Sequence, residues 1–317
     1  MLKAYEYTER SYEIKKREID ISTQEKKMAL QYVIDHPNHI KRVICPVCGE
    51  DHSKFIFERW DVEYFYCKEC GTIYVPVEDE IEQGYKSLKS LSDFQNSDIY
   101  QSEEERYRGL AWDEIVSWLM FRSYRYLGRN TGLKIIDIGN KYRGLSRRLR
   151  ESKLCGEYDL RGSKLPERFD SVGVGDVILY FNQIKHEGNP KDKLMSIRKW
   201  LSDDGIFIMS SRLGSGFDVL TLKGGTESIF PYEHITLPSR KGIEILLREC
   251  GFKLLEITTP GTEDVDAVFN HKERVDHDNF FVKCLIETAD DRTKSDFQQF
   301  LQKNCLSSFA QVIARKA

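Results

Sequence analysis

The pattern of apolar and polar residues changes at about Gly132. Beyond this residue, short apolar runs alternate with amphipathic stretches, as in βαβ units built around a parallel sheet. We therefore predict an α/β fold with strands at Leu133–Ile138, Leu154–Asp159, Asp176–Phe181, Ile206–Ser210, Phe252–Ile257 and Phe309–Ala314. Helices are predicted over Leu145–Glu151, Lys191–Leu201, Ser239–Glu249, Asn279–Thr288 and Lys294–Gln302.

The chain before Gly132 has a different character. Apolar side chains between Tyr107 and Leu127 recur at helical spacing, which predicts an amphipathic helix leading into the α/β domain. The charged stretch 78–106 predicts an irregular or loosely helical linker. The predicted organisation is an N-terminal helical arm (1–42), a cysteine module (43–77), a linker with the amphipathic helix (78–131) and the α/β domain (132–317).

Two CxxC pairs, each followed by a glycine, define the cysteine module: Cys45 with Cys48, and Cys67 with Cys70. Each pair lets a tight turn direct two thiolates at one point. Four thiolates make a closed tetrahedral site, which is structural rather than catalytic. The spacing predicts a metal ribbon, with Zn²⁺ as the favoured ion, although four thiolates also suit iron.

Composition narrows the function classes. The 317 residues are 40% hydrophobic and 31% charged, which is typical of a soluble globular protein. We expect a cytoplasmic protein without a membrane anchor, since no apolar run approaches the roughly 20 residues that span a bilayer. The formal net charge of −3 disfavours a dedicated nucleic-acid binder.

Several motifs of the α/β domain follow one another in a familiar order. The first strand ends in Asp137-Ile-Gly139, the strand from Asp176 ends at Asn182 before a loop with His186, and Glu233-His234 comes later. This succession, from about residue 132 onward, resembles class I S-adenosylmethionine (SAM)-dependent methyltransferases. Together with the ribbon, it is similar to bacterial methyltransferases associated with sugar and polysaccharide modification. The resemblance implies a Rossmann-like fold of the seven-stranded type, here shortened.

The resemblance also implies site residues. The cofactor-binding set is Asp137, Gly139, Asn140, Asp159, Asp176 and Asn182, and the catalytic set is His186, His234 and Glu233. A histidine in the loop could accept a proton or orient a substrate hydroxyl, because its pKa lies near the working pH. A structural hydrogen-bonding role for the same side chains stays an alternative.

Two departures from the family pattern alter these expectations. Lys141 and Arg143 stand where the family has glycines, so they would crowd the cofactor or bind an anionic group at the helix N-terminus. The stretch between Gly144 and Asp176 leaves room for only one helix and one strand.

Three functions remain open at this stage. The first is a SAM-dependent methyltransferase acting on a small molecule or a sugar or glycan precursor. The second is a methyltransferase-like protein that has lost catalysis and binds a protein partner through the ribbon. The third is an RNA methyltransferase, which the acidic net charge disfavours.

Overall fold

The structure is a computed structural model that describes residues 24, 27–36, 44–76, 84, 85, 88–140, 142–162 and 174–317. Its strands are β1 (Ser53–Arg59), β2 (Val62–Cys67), β3 (Ile73–Tyr74), β4 (Leu133–Ile138), β5 (Cys155–Arg161), β6 (Gly175–Phe181), β7 (Leu201–Arg212), β8 (Thr236–Leu237), β9 (Phe252–Thr258) and β10 (Phe309–Lys316). Its labelled helices are α1 (Lys89–Asn96), α2 (Asp98–Leu127), α3 (Arg143–Glu151), α4 (Pro190–Trp200), α5 (Phe217–Leu222), α6 (Arg240–Glu249), α7 (Asp264–Asn270), α8 (Phe280–Thr288) and α9 (Asp291–Lys303). Residues 27–35 are also helical.

Six strands form the main sheet in the order β5-β4-β6-β7-β10-β9. The four strands from β5 to β7 are parallel, whereas β10 runs antiparallel to both β7 and β9. The predicted Rossmann-like methyltransferase fold is therefore confirmed, in the shortened form that the sequence indicates. One helix and one strand lie between Gly144 and residue 162, as predicted.

Helices cover both faces of this sheet. On one face, α4 and α6 bury Ile197, Trp200 and Leu246 against strand residues such as Ile178. On the other face, α2 and α3 bury a second set against the sheet, namely Trp112, Leu119, Leu145 and Leu149 against Leu133, Ile135 and Val177. Because both faces are covered, the central parallel strands read as nearly continuous apolar runs.

The ribbon builds a second, smaller sheet in the order β1-β2-β3-β8. Its last strand, β8, is part of the α/β domain in sequence. It pairs with the ribbon strand β3, where Ile73 pairs with Leu237 and Tyr74 with Thr236. The cysteines Cys45, Cys67 and Cys70 lie in the same apolar core as the strands and helices of the main sheet. The ribbon and the Rossmann-like domain therefore share one core.

The segment before β4 is more helical than predicted. The long helix α2 begins at Asp98 rather than Tyr107, because the Ser97 hydroxyl accepts the Tyr100 N–H and caps its first turn. It ends at Gly128, whose φ of 71° is the left-handed conformation of a helix C-cap. Part of the predicted linker is the helix α1.

The N-terminal arm is described only in part. Its helical residues 27–35 bring Tyr32 against Tyr85 and Tyr232, with ring centroids 5.4 and 5.3 Å apart. Residues 1–23 of the predicted arm lie outside the described residues. Among the helices that are described, none has the length and apolarity to cross a bilayer.

Candidate functional site

A cavity of about 640 Å³ opens at the carboxyl ends of the parallel strands. The next two strands in the chain, β5 and β6, lie on opposite sides of β4 in the sheet, so the strand order reverses at β4. Ligands of open α/β sheets bind at this switch point of strand order. The lining residues from the loops after β4, β5 and β6 are Gly139, Asn140, Tyr142, Leu160, Arg161, Gly162, Phe181, Asn182, Gln183, Lys185, His186 and Glu187.

Asp137 supports the loop after β4 from below. It is fully buried, and its Oδ2 accepts hydrogen bonds from Tyr158 Oη at 2.6 Å and Asn140 Nδ2 at 2.7 Å. Burial raises the pKa of Asp137 to about 6, and these two hydrogen bonds oppose the shift. Asn140 in turn accepts the Tyr142 N–H at 2.8 Å. Asp137 therefore shapes the cavity floor through Asn140 and is not itself among the lining residues.

Gly139 turns the chain at the end of β4 with a φ of 74°. This left-handed conformation is strained for any residue with a Cβ, and a Cβ here would lie 2.4 Å from Gln183 Oε1. The Gly139 N–H donates to the Arg161 carbonyl at 2.8 Å, which ties the ends of β4 and β5 together. The glycine is therefore required by both the turn and the close approach of Gln183.

Asn182 performs the corresponding turn after β6. Its φ is 55°, a conformation that asparagine tolerates better than most residues. Its N–H lies 3.0 Å from the Ser210 carbonyl and 3.1 Å from the Ser210 hydroxyl, so β7 holds the turn in place. Both Asn182 and Ser210 line the cavity.

Lys185, His186 and Glu233 line the cavity and His234 lies behind them, and we call these four residues the polar cluster. Glu233 lies between two of them: its Oε1 is 3.4 Å from Lys185 Nζ, and its Oε2 is 3.6 Å from His186 Nδ1. A carboxylate beside a histidine orients the imidazole and stabilises its protonated form. This arrangement suits proton transfer at His186.

His234 lies behind the lining residues of the cavity. It is 4% exposed, its Nδ1 accepts the Phe230 N–H at 3.2 Å, and its Nε2 is 3.2 Å from Lys185 Nζ. Burial lowers the pKa of His234 well below its usual range, and the positive charge of Lys185 lowers it further. His234 is therefore a neutral imidazole that contacts Lys185 from the protein side.

The structure brings together most of the predicted site residues. Gly139, Asn140, Asn182, His186 and Glu233 all line the one cavity. Their roles in binding and catalysis stay predictions. Asp137 and His234 lie directly behind lining residues, as described above.

Asp176, predicted to bind the cofactor, is not among the residues that line the cavity. Asp176 lies at the amino end of β6, where it accepts the Lys134 N–H at 2.9 Å and pairs with Arg129 at 2.7 Å. The cavity lies at the opposite ends of the strands, so this carboxylate supports the start of β4 instead.

Asp159 is also outside the lining set. Its Oδ2 accepts two hydrogen bonds from the Arg161 guanidinium, at 2.9 Å from Nε and 2.6 Å from Nη2. Arg161 is thus the charged residue that the end of β5 presents to the cavity. A carboxylate for a ribose is expected at this place. The described residues around the switch point fit a nucleoside in position and volume, but no acid of β5 is among those that line the cavity.

Lys141 and Arg143 are the cationic residues predicted to crowd the cofactor or bind an anionic group. Lys141 lies outside the described residues. Arg143 donates to the Asn96 carbonyl at 2.8 Å and lies 3.3 Å from Asp98, and it does not line the cavity. It therefore joins the start of α3 to the junction between α1 and α2.

Residues before Gly132 complete the cavity, and sequence reasoning missed them. Trp112, Ile115 and Trp118 come from α2, and Tyr85, Gln95 and Asn96 come from the segment before it. Two tryptophans on one amphipathic helix indicate an apolar contact surface, but the pattern cannot tell a core from a ligand wall. The β10 residue Gln311 also lines the cavity.

The four cysteines of the ribbon converge on one point. Cys45 Sγ is 3.5 Å from Cys70 Sγ, Cys48 Sγ is 3.5 Å from Cys67 Sγ, and all four sulfurs lie within 4.8 Å of one another. Tetrahedral zinc with Zn–S bonds of about 2.3 Å separates its sulfurs by about 3.8 Å. The four thiols are free of disulfides. The cluster therefore has the geometry and the donor atoms of a closed metal site.

Comparisons with known proteins show distant likenesses only. No family model matches the chain, and no curated protein matches it. The Haemonchus contortus phosphoethanolamine N-methyltransferase 2, solved with S-adenosyl-L-methionine, is similar over 73% of this chain and 61% of its own, with 15% identity and a TM-score of 0.46.

Two further solved structures are similar at the same level. A sarcosine dimethylglycine methyltransferase from Galdieria sulphuraria covers 64% of this chain and 86% of its own, with 13% identity and a TM-score of 0.43. The magnesium protoporphyrin IX methyltransferase of Synechocystis PCC 6803, solved with SAH, is similar over 76% of this chain and 100% of its own, with 11% identity and a TM-score of 0.41. The fold assignment itself follows from the strand order of the sheet.

Proposed function

We propose that the protein is a SAM-dependent methyltransferase that acts on a small molecule. The observation that carries the proposal is the cavity at the switch point between β4 and β6, with Gly139 and Asn182 turning the chain at its floor. SAM supplies a methyl group on a sulfonium, which is electrophilic. The backbone turns at Gly139 and Asn182 are placed to contact the nucleoside and amino-acid parts, while Leu160 and Phe181 give an apolar wall for the base.

In this proposal, His186 receives the proton of the acceptor substrate. Glu233 Oε2 is 3.6 Å from its Nδ1 and stabilises the imidazolium that forms. Lys185 orients Glu233, His234 contacts Lys185 from behind, and neither takes the proton. Most of the acceleration would come from holding the acceptor in line with the methyl group.

A sugar or glycan precursor is the acceptor class that we favour. The cavity is also lined by side chains that bind hydroxyls, namely Asn182, Gln183, Ser210 and Gln311. Tyr85 and the tryptophans of α2 add aromatic surface to the same cavity, which suits a sugar ring with one polar edge and one apolar face.

The cysteine cluster is proposed to hold Zn²⁺ in a structural role. A protein partner at the ribbon is a further prediction. The outer strand β1 carries Phe55, which is 52% exposed, and is the place where such a partner would contact the ribbon.

A calorimetric titration with SAM and S-adenosylhomocysteine tests the proposal. We expect micromolar binding that Gly139→Val abolishes, because its side chain would enter the space of Gln183. Gly132→Val is the matched control: Gly132 has a φ of 64°, and a Cβ there meets nothing within 4 Å. Absence of heat with the folded, metal-loaded chain would contradict the proposal.

One observation favours a second function. Arg161 stands at the end of β5, and Asp159 is paired with it rather than directed at a ribose. If SAM and S-adenosylhomocysteine do not bind, the protein is a Rossmann-like binding protein whose cavity takes another ligand. Binding of an anionic nucleotide that Arg161→Ala weakens would identify this second function.

A further inference from the structure

Ile235 of the α/β domain joins the ribbon to the polar cluster. The Ile235 carbonyl accepts the Val75 N–H of the ribbon at 2.9 Å, and the Ile235 N–H donates to the Lys185 carbonyl at 2.7 Å. Ile235 is fully buried and follows Glu233 and His234 directly. A displacement of Val75 would therefore move both halves of the polar cluster.

The next residue repeats this connection. Thr236 pairs with Tyr74 of the ribbon, and its hydroxyl donates to the Glu187 carbonyl at 2.7 Å. Strand β8 thus lies between the ribbon strand β3 on one side and the cavity loop 184–187 on the other. Since Thr236 is fully buried, water cannot replace these bonds without opening the strand.

The metal-binding turn itself contacts the end of the same segment. The Ser239 hydroxyl donates to the Cys70 carbonyl, and it accepts the Gly242 N–H at 2.9 Å as the N-cap of α6. A Cβ on Gly242 would lie 2.7 Å from Thr72 Oγ1, so the turn packs directly on the helix. Thr72 Oγ1 is also 3.1 Å from Cys70 Sγ.

We propose that the four-cysteine site is a positioning element of the cavity. With the metal bound, Cys67 and Cys70 fix β2, the turn and β3, and β3 holds segment 232–238 against loop 184–187. Glu233 and His234 are thereby kept at Lys185 and His186. A metal cross-link of this kind contributes its binding free energy to the order of the strands that it joins.

The effect of this coupling on turnover rests on the proposed methyltransferase function. The coupling itself does not, because the bonds between Val75, Ile235 and Lys185 are independent of any ligand in the cavity. The experiment below therefore measures backbone protection, so that failure of the methyltransferase proposal leaves its outcome unaffected.

Hydrogen exchange followed by mass spectrometry compares the zinc-loaded full chain with the same chain after chelation. We expect peptides covering 232–238 and 184–187 to exchange about tenfold faster or more after chelation, together with the ribbon strands. Peptides covering β4 and β7 should keep their protection. Unchanged exchange in 232–238 would overturn the proposal, and so would an equal loss of protection across β4 and β7, since the metal would then support the whole fold.

A variant of the zinc-loaded chain separates positioning from metal loss. Ser239→Ala removes the bond to the Cys70 carbonyl and one helix cap, and we expect exchange in 232–238 to rise about fivefold. Asn279→Ala is the matched control, because Asn279 caps α8 by accepting the Val282 N–H, as Ser239 caps α6. Equal exchange in 232–238 for the two variants would overturn the proposal.

Discussion

Tyr158 Oη donates a 2.6 Å hydrogen bond to Oδ2 of Asp137, and so joins β5 to the fully buried carboxyl group of β4. Burial raises the pKa of Asp137 to about 6 from an ordinary value of 3.8. Because the folded-state pKa lies above the unfolded one, the folded chain holds the proton between these two pH values. The free energy of unfolding therefore falls as the pH rises from about 4 to about 6.

Asp137→Asn removes this ionisation while keeping an oxygen for Tyr158 and Asn140. A shift of about two pKa units corresponds to about 3 kcal/mol. We expect the variant to gain about that much stability relative to the wild type between pH 4 and pH 7, measured by urea unfolding. The control is the exposed Asp278→Asn. A stability difference between variant and wild type that does not change with pH would contradict the role of Asp137.

His186→Gln tests the proton acceptor. The variant keeps a polar side chain beside Glu233 but cannot take a proton, so we expect kcat to fall by about 10²- to 10⁴-fold. The affinity for SAM should stay unchanged, since the proposed function assigns His186 to the acceptor and not to the cofactor. His52→Gln is the control, because its side chain is 66% exposed on the ribbon. A loss of SAM binding with unchanged kcat would assign His186 to the cofactor instead.

Metal content tests the cysteine cluster. We expect one zinc ion per chain by atomic emission, and its loss in Cys67→Ser, because serine is a poor zinc ligand and the sulfur is fully buried. Cys284→Ser should retain the metal, since Cys284 is exposed on α8 and lies outside the cluster. Two or more thiols of the cluster reacting freely in the loaded protein would contradict the site.

Arg161→Asp tests whether a carboxylate at the end of β5 strengthens the binding of SAM. The substitution places an acid at the lining position and releases Asp159 from its ion pair. A hydrogen bond from a ribose hydroxyl to a charged group is worth about 1.5–3 kcal/mol, so we expect SAM to bind about tenfold more tightly. Arg292→Asp makes the same charge change at an 89% exposed position. Weaker binding in Arg161→Asp alone would show that Arg161 contacts the ligand.

The strands of the α/β domain could be predicted because their apolar runs are local signals. The strand β4 has the predicted bounds, and β6 differs from its prediction by one residue at its start. The start of α2 could not be predicted, since the first turn of this helix depends on the Ser97 cap and on charged residues that carry no apolar period. Charged helical surface and charged linker are alike in composition.

The placement of a candidate site residue at the cavity follows most directly from the sequence where that residue ends a strand. Gly139 and Asn182 end β4 and β6, so the topology alone places them at the cavity. The position of Asp176 could not be predicted, because an acid next to an apolar run can lie at either end of the strand. The contribution of α2 to the cavity could not be predicted, because the helical spacing of apolar residues does not indicate whether they face a strand or a ligand.

The sequence by itself determined the sheet pattern and the four-cysteine site, because hydrophobic periodicity and CxxC spacing act over a few residues. Only the tertiary structure decided three further features. The Arg161 side chain forms an ion pair with Asp159, His234 is buried behind Lys185, and β8 links the ribbon to the cavity. The last two depend on residues far apart in the chain, and the first depends on which residues of β5 face the cavity. All three are set by packing in the folded chain rather than by the spacing of apolar residues or cysteines.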